Sequence, residues 1–182
     1  MKKLFCGLLL MLPLLFTACA HVSDNELLAN RMTPDQLTAA LAGDIISLSG
    51  TIDPKEAFDL ADTAIKATDR LAKKYGTSGP PEYHNIMVNL GIRDRGLCWH
   101  WTTDLLNTFF ALNLKTIDFM WAEAHAGSDL SEHNVAVIVP AADPRLEKGL
   151  IFDPWRTSGK PYWILLKDDT KYPWQEFPRA KW

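Results

Sequence analysis

Two successive patterns along the 182-residue chain predict an α+β fold. As far as Leu112, apolar residues recur at three- and four-residue steps between proline and glycine breaks, the period of amphipathic helices. From Lys115 the period drops to two, the signature of strands whose alternate side chains face a core. Helices first and neighbouring strands afterwards predict N-terminal helices, then a helix packed on a small antiparallel sheet. The composition, 47% hydrophobic and 23% charged, supplies apolar surface for one core and lacks the low hydrophobicity of disorder.

Taken in order, Thr33-Pro34 reads as an N-cap followed by proline at the first helical position. It opens a helix through Leu37, Leu41, Ile45 and Leu48 that stops by Gly50. Asp53-Pro54-Lys55-Glu56 repeats the signal with Glu56 placed for a capping box, and the second helix carries Phe58, Ala61, Ile65, Thr68 and Leu71 on one stripe up to Gly76. Thr77 to Pro81 is a turn-rich break, and Tyr83 to Leu90 forms a short helix before Gly91. A longer helix from about Leu97 to Leu112 places Trp101, Leu105, Phe109 and Leu112 inward and Cys98 in its first turn.

Ile117, Phe119 and Trp121, alternating with Asp118, Met120 and Ala122, predict a half-buried strand. Val135 to Val139 forms a more buried strand ending at Pro140, Leu150 to Phe152 a third, and Trp163 to Leu166 a fourth. No internal repeat or low-complexity segment interrupts the series.

Residues 1–18 follow a different logic. Met1, Lys2 and Lys3 form a positive n-region, and Leu4 to Leu15 an apolar run too short to span a bilayer, as in a secretion signal. Its end, Leu15-Phe16-Thr17-Ala18-Cys19, resembles the lipobox of bacterial lipoproteins, with Phe16 bulkier than the usual Leu. The resemblance implies cleavage before Cys19, acylation of that thiol with fatty acids such as palmitate, and a polar tether over residues 19–32. Each buried CH₂ contributes about 0.8 kcal/mol, so two or more acyl chains give stable anchoring. Ala20 is not the Asp that often retains such proteins at the inner membrane, which places the expected protein on the periplasmic face of the outer membrane. The competing expectation is an ordinary cleaved signal with Cys19 a bystander.

With Cys6 inside the signal and Cys19 acylated, Cys98 is the free thiol of the mature chain. An unpaired thiol in an oxidising compartment is exposed to oxidation and wrong pairing, so its presence asks for a reason. A helix N-terminus favours the thiolate, and a thiol nucleophile needs an imidazole for its proton and a third group to orient that imidazole. His133 opens one strand and Asp153 closes the next, and antiparallel pairing brings such positions within reach.

At these residues the chain resembles the transglutaminase-like superfamily of papain-like thiol enzymes, including bacterial cysteine peptidase-like members. The matching segments are Arg95-Gly96-Leu97-Cys98-Trp99 opening a helix, Glu132-His133-Asn134-Val135 opening a strand, and Phe152-Asp153-Pro154-Trp155 at a strand end. The match covers about Leu90 to Trp163 and implies one such domain over residues 33–182. It further implies acyl transfer, as a cysteine peptidase (a thiol protease, hence a hydrolase), an amidase or an amide-transferring enzyme: Cys98 as nucleophile, His133 as base and then acid, Asp153 as orienter, with the acyl-enzyme resolved by water or an amine. The oxyanion would be held by the Cys98 N–H and by a side-chain donor upstream, for which Asn89 and Asn85 are candidates, while Trp99 and Trp155 would wall a substrate groove.

Other readings of the same residues stay open. Cys98 also suits a packed core position, His133 a capped strand end, and Asp153-Pro154 a turn. His100, two residues beyond Cys98, points elsewhere on its helix in a surface or structural role. Glu123, His125, Asp129 and His133 match no metal-site spacing, so no metal and no cofactor are expected. A formal charge of −3 with scattered Lys and Arg excludes a nucleic-acid partner. The expected partners are the membrane, through acylated Cys19, and a peptide or protein substrate, with cell-wall peptides among the candidates. A non-catalytic binding or scaffolding lipoprotein, using the groove for a peptide or glycan, is the alternative function.

Overall fold

The computed structural model describes residues 31–128 and 131–181. The segment resembling a lipobox, Cys19 with its expected acylation, and Asp129 lie outside the described residues. Among the described residues the fold is α+β, with four α-helices and a five-stranded antiparallel sheet.

Helix α1 spans Pro34–Ser47. Thr33 caps it reciprocally with Gln36: the Gln36 backbone N–H donates to the Thr33 hydroxyl at 3.3 Å, and the Thr33 N–H donates to the Gln36 side chain at 2.9 Å. Helix α2 spans Pro54–Tyr75, is capped by the Asp53 carboxylate accepting from the Lys55 and Glu56 N–H groups, and stops at left-handed Gly76. Two expectations for α2 are corrected. Glu56 does not fold back on its own helix; its carboxylate accepts from the Lys115 N–H, the Thr116 N–H and the Thr116 hydroxyl, tying α2 to the chain entering the sheet. Phe58 is 51% exposed, because the buried face is centred on Ala57, Leu60, Ala61 and Ala64, whose three alanines admit α1 closely.

Helix α3 spans Pro81–Asn89 and α4 spans Cys98–Phe110. Strands β1 (Ile117–Ala124), β2 (His133–Pro140), β3 (Leu150–Phe152), β4 (Trp163–Leu165) and β5 (Gln175–Glu176) form a sheet in the order β4-β3-β2-β1-β5. Every neighbouring pair is antiparallel, with Ala124 opposite His133 and Ala136 opposite Phe152. The fifth strand, two polar residues long, carries no periodic signal and was not expected from the sequence.

The sheet is buried on both faces. Helix α4 covers one, where Phe109 meets Phe119 and Phe152 at centroid distances of 5.4 and 6.0 Å. On the other, Met120, Ala122, Val135, Val137, Val139 and Ile151 form a second cluster under Leu146, Ile164, Leu166 and Trp174. Strand β1 is therefore not half-buried as its alternation predicts: Met120 and Ala122 are as enclosed as Phe119. The chain after β4 returns over this face, and Trp174 joins the cluster beside the start of β2.

Candidate active site

Cys98 takes the first helical position of α4, where backbone N–H groups lack intrahelical acceptors. The turn that delivers it there is built by two histidines. Gly96 has φ +126° and a Cβ on it would meet the His84 Nε2 at 2.2 Å, so only glycine fits. That ring is buried and its Nε2 lies 3.0 Å from the Arg95 carbonyl, to which it donates. His100, three residues into the helix, turns its Nδ1 back to accept from the Gly96 and Leu97 N–H groups, each at 3.2 Å. Burial, followed by the charge of Arg95, holds the His100 pKa down to about 4 and keeps the ring a neutral acceptor. Of its two expected roles, His100 has the structural one: it is buried rather than on the surface.

His133 begins β2, and the structure places it against Asp153 and close enough to Cys98 for the two to interact electrostatically. The His133 Nε2 lies 2.7 Å from the Asp153 Oδ2, both side chains being 2% exposed. A carboxylate only accepts, so Nε2 carries the hydrogen and the neutral ring presents Nδ1 as its free lone pair. This Nδ1 is buried with no hydrogen-bond partner. Burial opposes the imidazolium, but the Asp153 carboxylate and then Cys98 outweigh it and raise the pKa to about 9.

Asp153 stays ionised despite complete enclosure: burial pushes its pKa up, and the charges of His133 and Arg156 more than reverse that. Arg156 donates from Nε to Asp153 at 3.1 Å and from a terminal nitrogen to Asp169 at 2.7 Å. Its guanidinium lies 4.7 Å from the Tyr162 ring centroid and 5.0 Å from that of Tyr172. The Trp174 indole N–H also donates to Asp169, at 3.0 Å. A buried chain of ionic hydrogen bonds thus runs from His133 through Asp153 and Arg156 to Asp169. The same segment roofs the imidazole, with Tyr172 and Trp174 ring centroids 4.8 and 5.5 Å from it.

Around Cys98, the Asn134 Nδ2 lies 3.9 Å from Sγ and the Glu132 carbonyl oxygen 4.0 Å from it. From Asn134 and Glu132 a cleft of about 410 Å³ opens between α4 and the sheet edge, walled by Trp99, Leu106, Phe110, Trp121 and Phe177. Trp99 is 44% exposed at its mouth and rests on the His100 ring at 3.7 Å. Trp155 is placed differently from expectation. It is buried, lies 4.5 Å from the His133 ring and donates its indole N–H to Asn85, so it shields the imidazole rather than lining this cleft.

Asn85 is therefore near the site on its Trp155 side, while Asn89 is exposed at the last position of α3. Among the described residues, no three His, Cys, Asp or Glu side chains gather as metal ligands would. The places of Arg156, Asp169, Tyr172, Trp174 and Trp121 at the site were not expected from the sequence. Arg156, one helical turn beyond Asp153, had a local signal; the others depend on the path of the chain after β4. Comparison with family models, with curated proteins and with solved structures returns no match to the chain.

Proposed function

We propose that the protein is a transglutaminase-like thiol enzyme acting on amide bonds, held on the cell envelope by an acylated Cys19. The observation that carries the chemistry is the buried His133, bonded to Asp153 through Nε2, with its Nδ1 otherwise unpartnered and its charge favoured by Cys98 at the first position of α4. In this reading the Cys98 proton is held on His133 Nδ1, where the raised pKa keeps it, and Sγ attacks the carbonyl carbon. The tetrahedral oxyanion collapses, the C–N bond breaks, and the amine leaves with the proton from Nδ1. Water or a second amine, deprotonated by the same nitrogen, then releases the acyl group from sulfur. Asp153 holds the tautomer throughout and offsets the imidazolium charge. Nothing in this scheme requires a cofactor. The anchoring rests on the lipobox resemblance.

The near-closure of the site favours a second reading, a binding lipoprotein that keeps the constellation without turnover: Cys98 is 8% exposed and His133 1%. One experiment separates the two. The chain is incubated with amide and activated-ester acyl donors, and intact mass is read before and after neutral hydroxylamine. An adduct that hydroxylamine removes, absent in Cys98→Ala, supports the enzyme; no adduct with any donor while ligands still bind supports the scaffold.

A further inference from the structure

We infer that Asn134 is the side-chain oxyanion donor of the site, in place of the upstream asparagines that the sequence suggests. The inference rests on the proposed acyl-enzyme chemistry and assigns it a further catalytic residue. Three contacts specify the orientation of the Asn134 carboxamide. The Trp121 indole, which can only donate, places its N–H 2.7 Å from the Asn134 Oδ1. That fixes which end of the amide is oxygen and turns Nδ2 the other way. Of the two N–H bonds there, one reaches the Glu132 Oε1 at 3.2 Å and the other is directed at the Cys98 Sγ, 3.9 Å away.

A donor at that distance from sulfur suits the tetrahedral intermediate better than the resting thiol. The forming oxyanion sits one carbon beyond Sγ, and a donor serves it when about 3 Å from that oxygen. A separation of 3.9 Å between N and S leaves room for an oxygen bonded to the intervening carbon to contact both. The side chain is 5% exposed and pinned at both ends, so little reorganisation is needed as charge develops. Backbone N–H groups at the start of α4 supply the companion donors.

Asn85 has a comparable tether, its Oδ1 accepting from Trp155, but its contact is with the indole that covers His133 and not with sulfur. Asn134 also lines the aromatic cleft, so a carbonyl bound there sets the acyl portion of the substrate against Trp99, Trp121 and Phe177.

The test compares two reactions of the same thiol. Alkylation by iodoacetamide is a displacement at saturated carbon and makes no oxyanion; acylation by p-nitrophenyl acetate does. Asn134→Ala is expected to slow acylation about a hundredfold or more while changing alkylation less than about threefold. Asn134→Leu, close in size and uncharged, removes the donor without adding a charge beside the thiol and should do the same if the alanine variant fails to fold. Acylation at the wild-type rate in either variant overturns the assignment. So does a parallel fall in both reactions, which would place Asn134 on the thiol alone, or a greater slowing of acylation in Asn85→Ala. If wild-type Cys98 is alkylated but never acylated, the acyl-enzyme reading itself fails and the donor role goes with it.

Discussion

His100 shows how much of the site is decided by single side chains. Its Nδ1 accepts two backbone N–H groups that would otherwise be left unpaired at the entrance to α4, and only the neutral ring can do so. With its pKa near 4 in the folded chain against an ordinary 6.5, protonation belongs to the unfolded state first. The stability it contributes is present above pH 6.5 and is lost as pH falls toward 4. Urea unfolding across that interval should show a falling midpoint in the wild type. His100→Gln, which keeps an acceptor but does not titrate, should lose that slope, and His100→Ala should cost about 1 to 2 kcal/mol at neutral pH. A slope unchanged in His100→Gln would assign the acid sensitivity elsewhere.

At the scale of elements, the site is a meeting of ends: the start of α4, the start of β2 and the residue after β3. Those ends were legible in sequence because each is announced locally, by Arg95-Gly96 before a helix, by a polar residue before Val135-Ala136-Val137 and by Asp-Pro after Phe152. Helix starts with a proline at the first position, as at Pro34 and Pro54, were legible for the same reason. Phase within a helix was less so. Phe58 is apolar at a plausible step, yet packing selected the alanine face of α2 instead, since α1 approaches there. Gly96 carries the sharpest element-level prediction. Gly96→Ala should cost well over about 1 kcal/mol and slow Cys98 alkylation, because it combines φ +126° with a collision at His84. Gly91→Ala, at φ +70° with open space around it, should be milder and leave Cys98 reactivity in place. Equal effects from the two, read by urea denaturation and labelling rate, would remove the His84 contact from the explanation.

Across the whole molecule, the chain after β4 closes over the far face of the sheet and roofs His133. Its fixture is Arg156, whose guanidinium joins two buried carboxylates, Asp153 directly after β3 and Asp169 within that return. No periodicity encodes this arrangement: Tyr172 and Trp174 lie in irregular chain, and their position follows from where Asp169 finds its counterion. The oxyanion donor escaped for a related reason. Asn134 stands next to His133 in a matching segment, but its function depends on an indole from β1 that the sheet register sets diagonally across, Trp121 pairing with Ala136 two residues on. Arg156→Met leaves two buried negative charges facing each other and should destabilise by about 3 to 5 kcal/mol in denaturant titration. A loss below about 1 kcal/mol would mean that the return segment is held by its aromatic packing alone.

The pairing of Cys98 with His133 is tested most directly by the rate of Cys98 alkylation by iodoacetamide as a function of pH, in the wild type and in His133→Ala. An imidazole poised near pKa 9 beside the thiol should give rapid labelling well below pH 8, and the histidine variant should lose that low-pH reactivity. Labelling that is slow below pH 8 and the same in both proteins would contradict a thiol activated by His133.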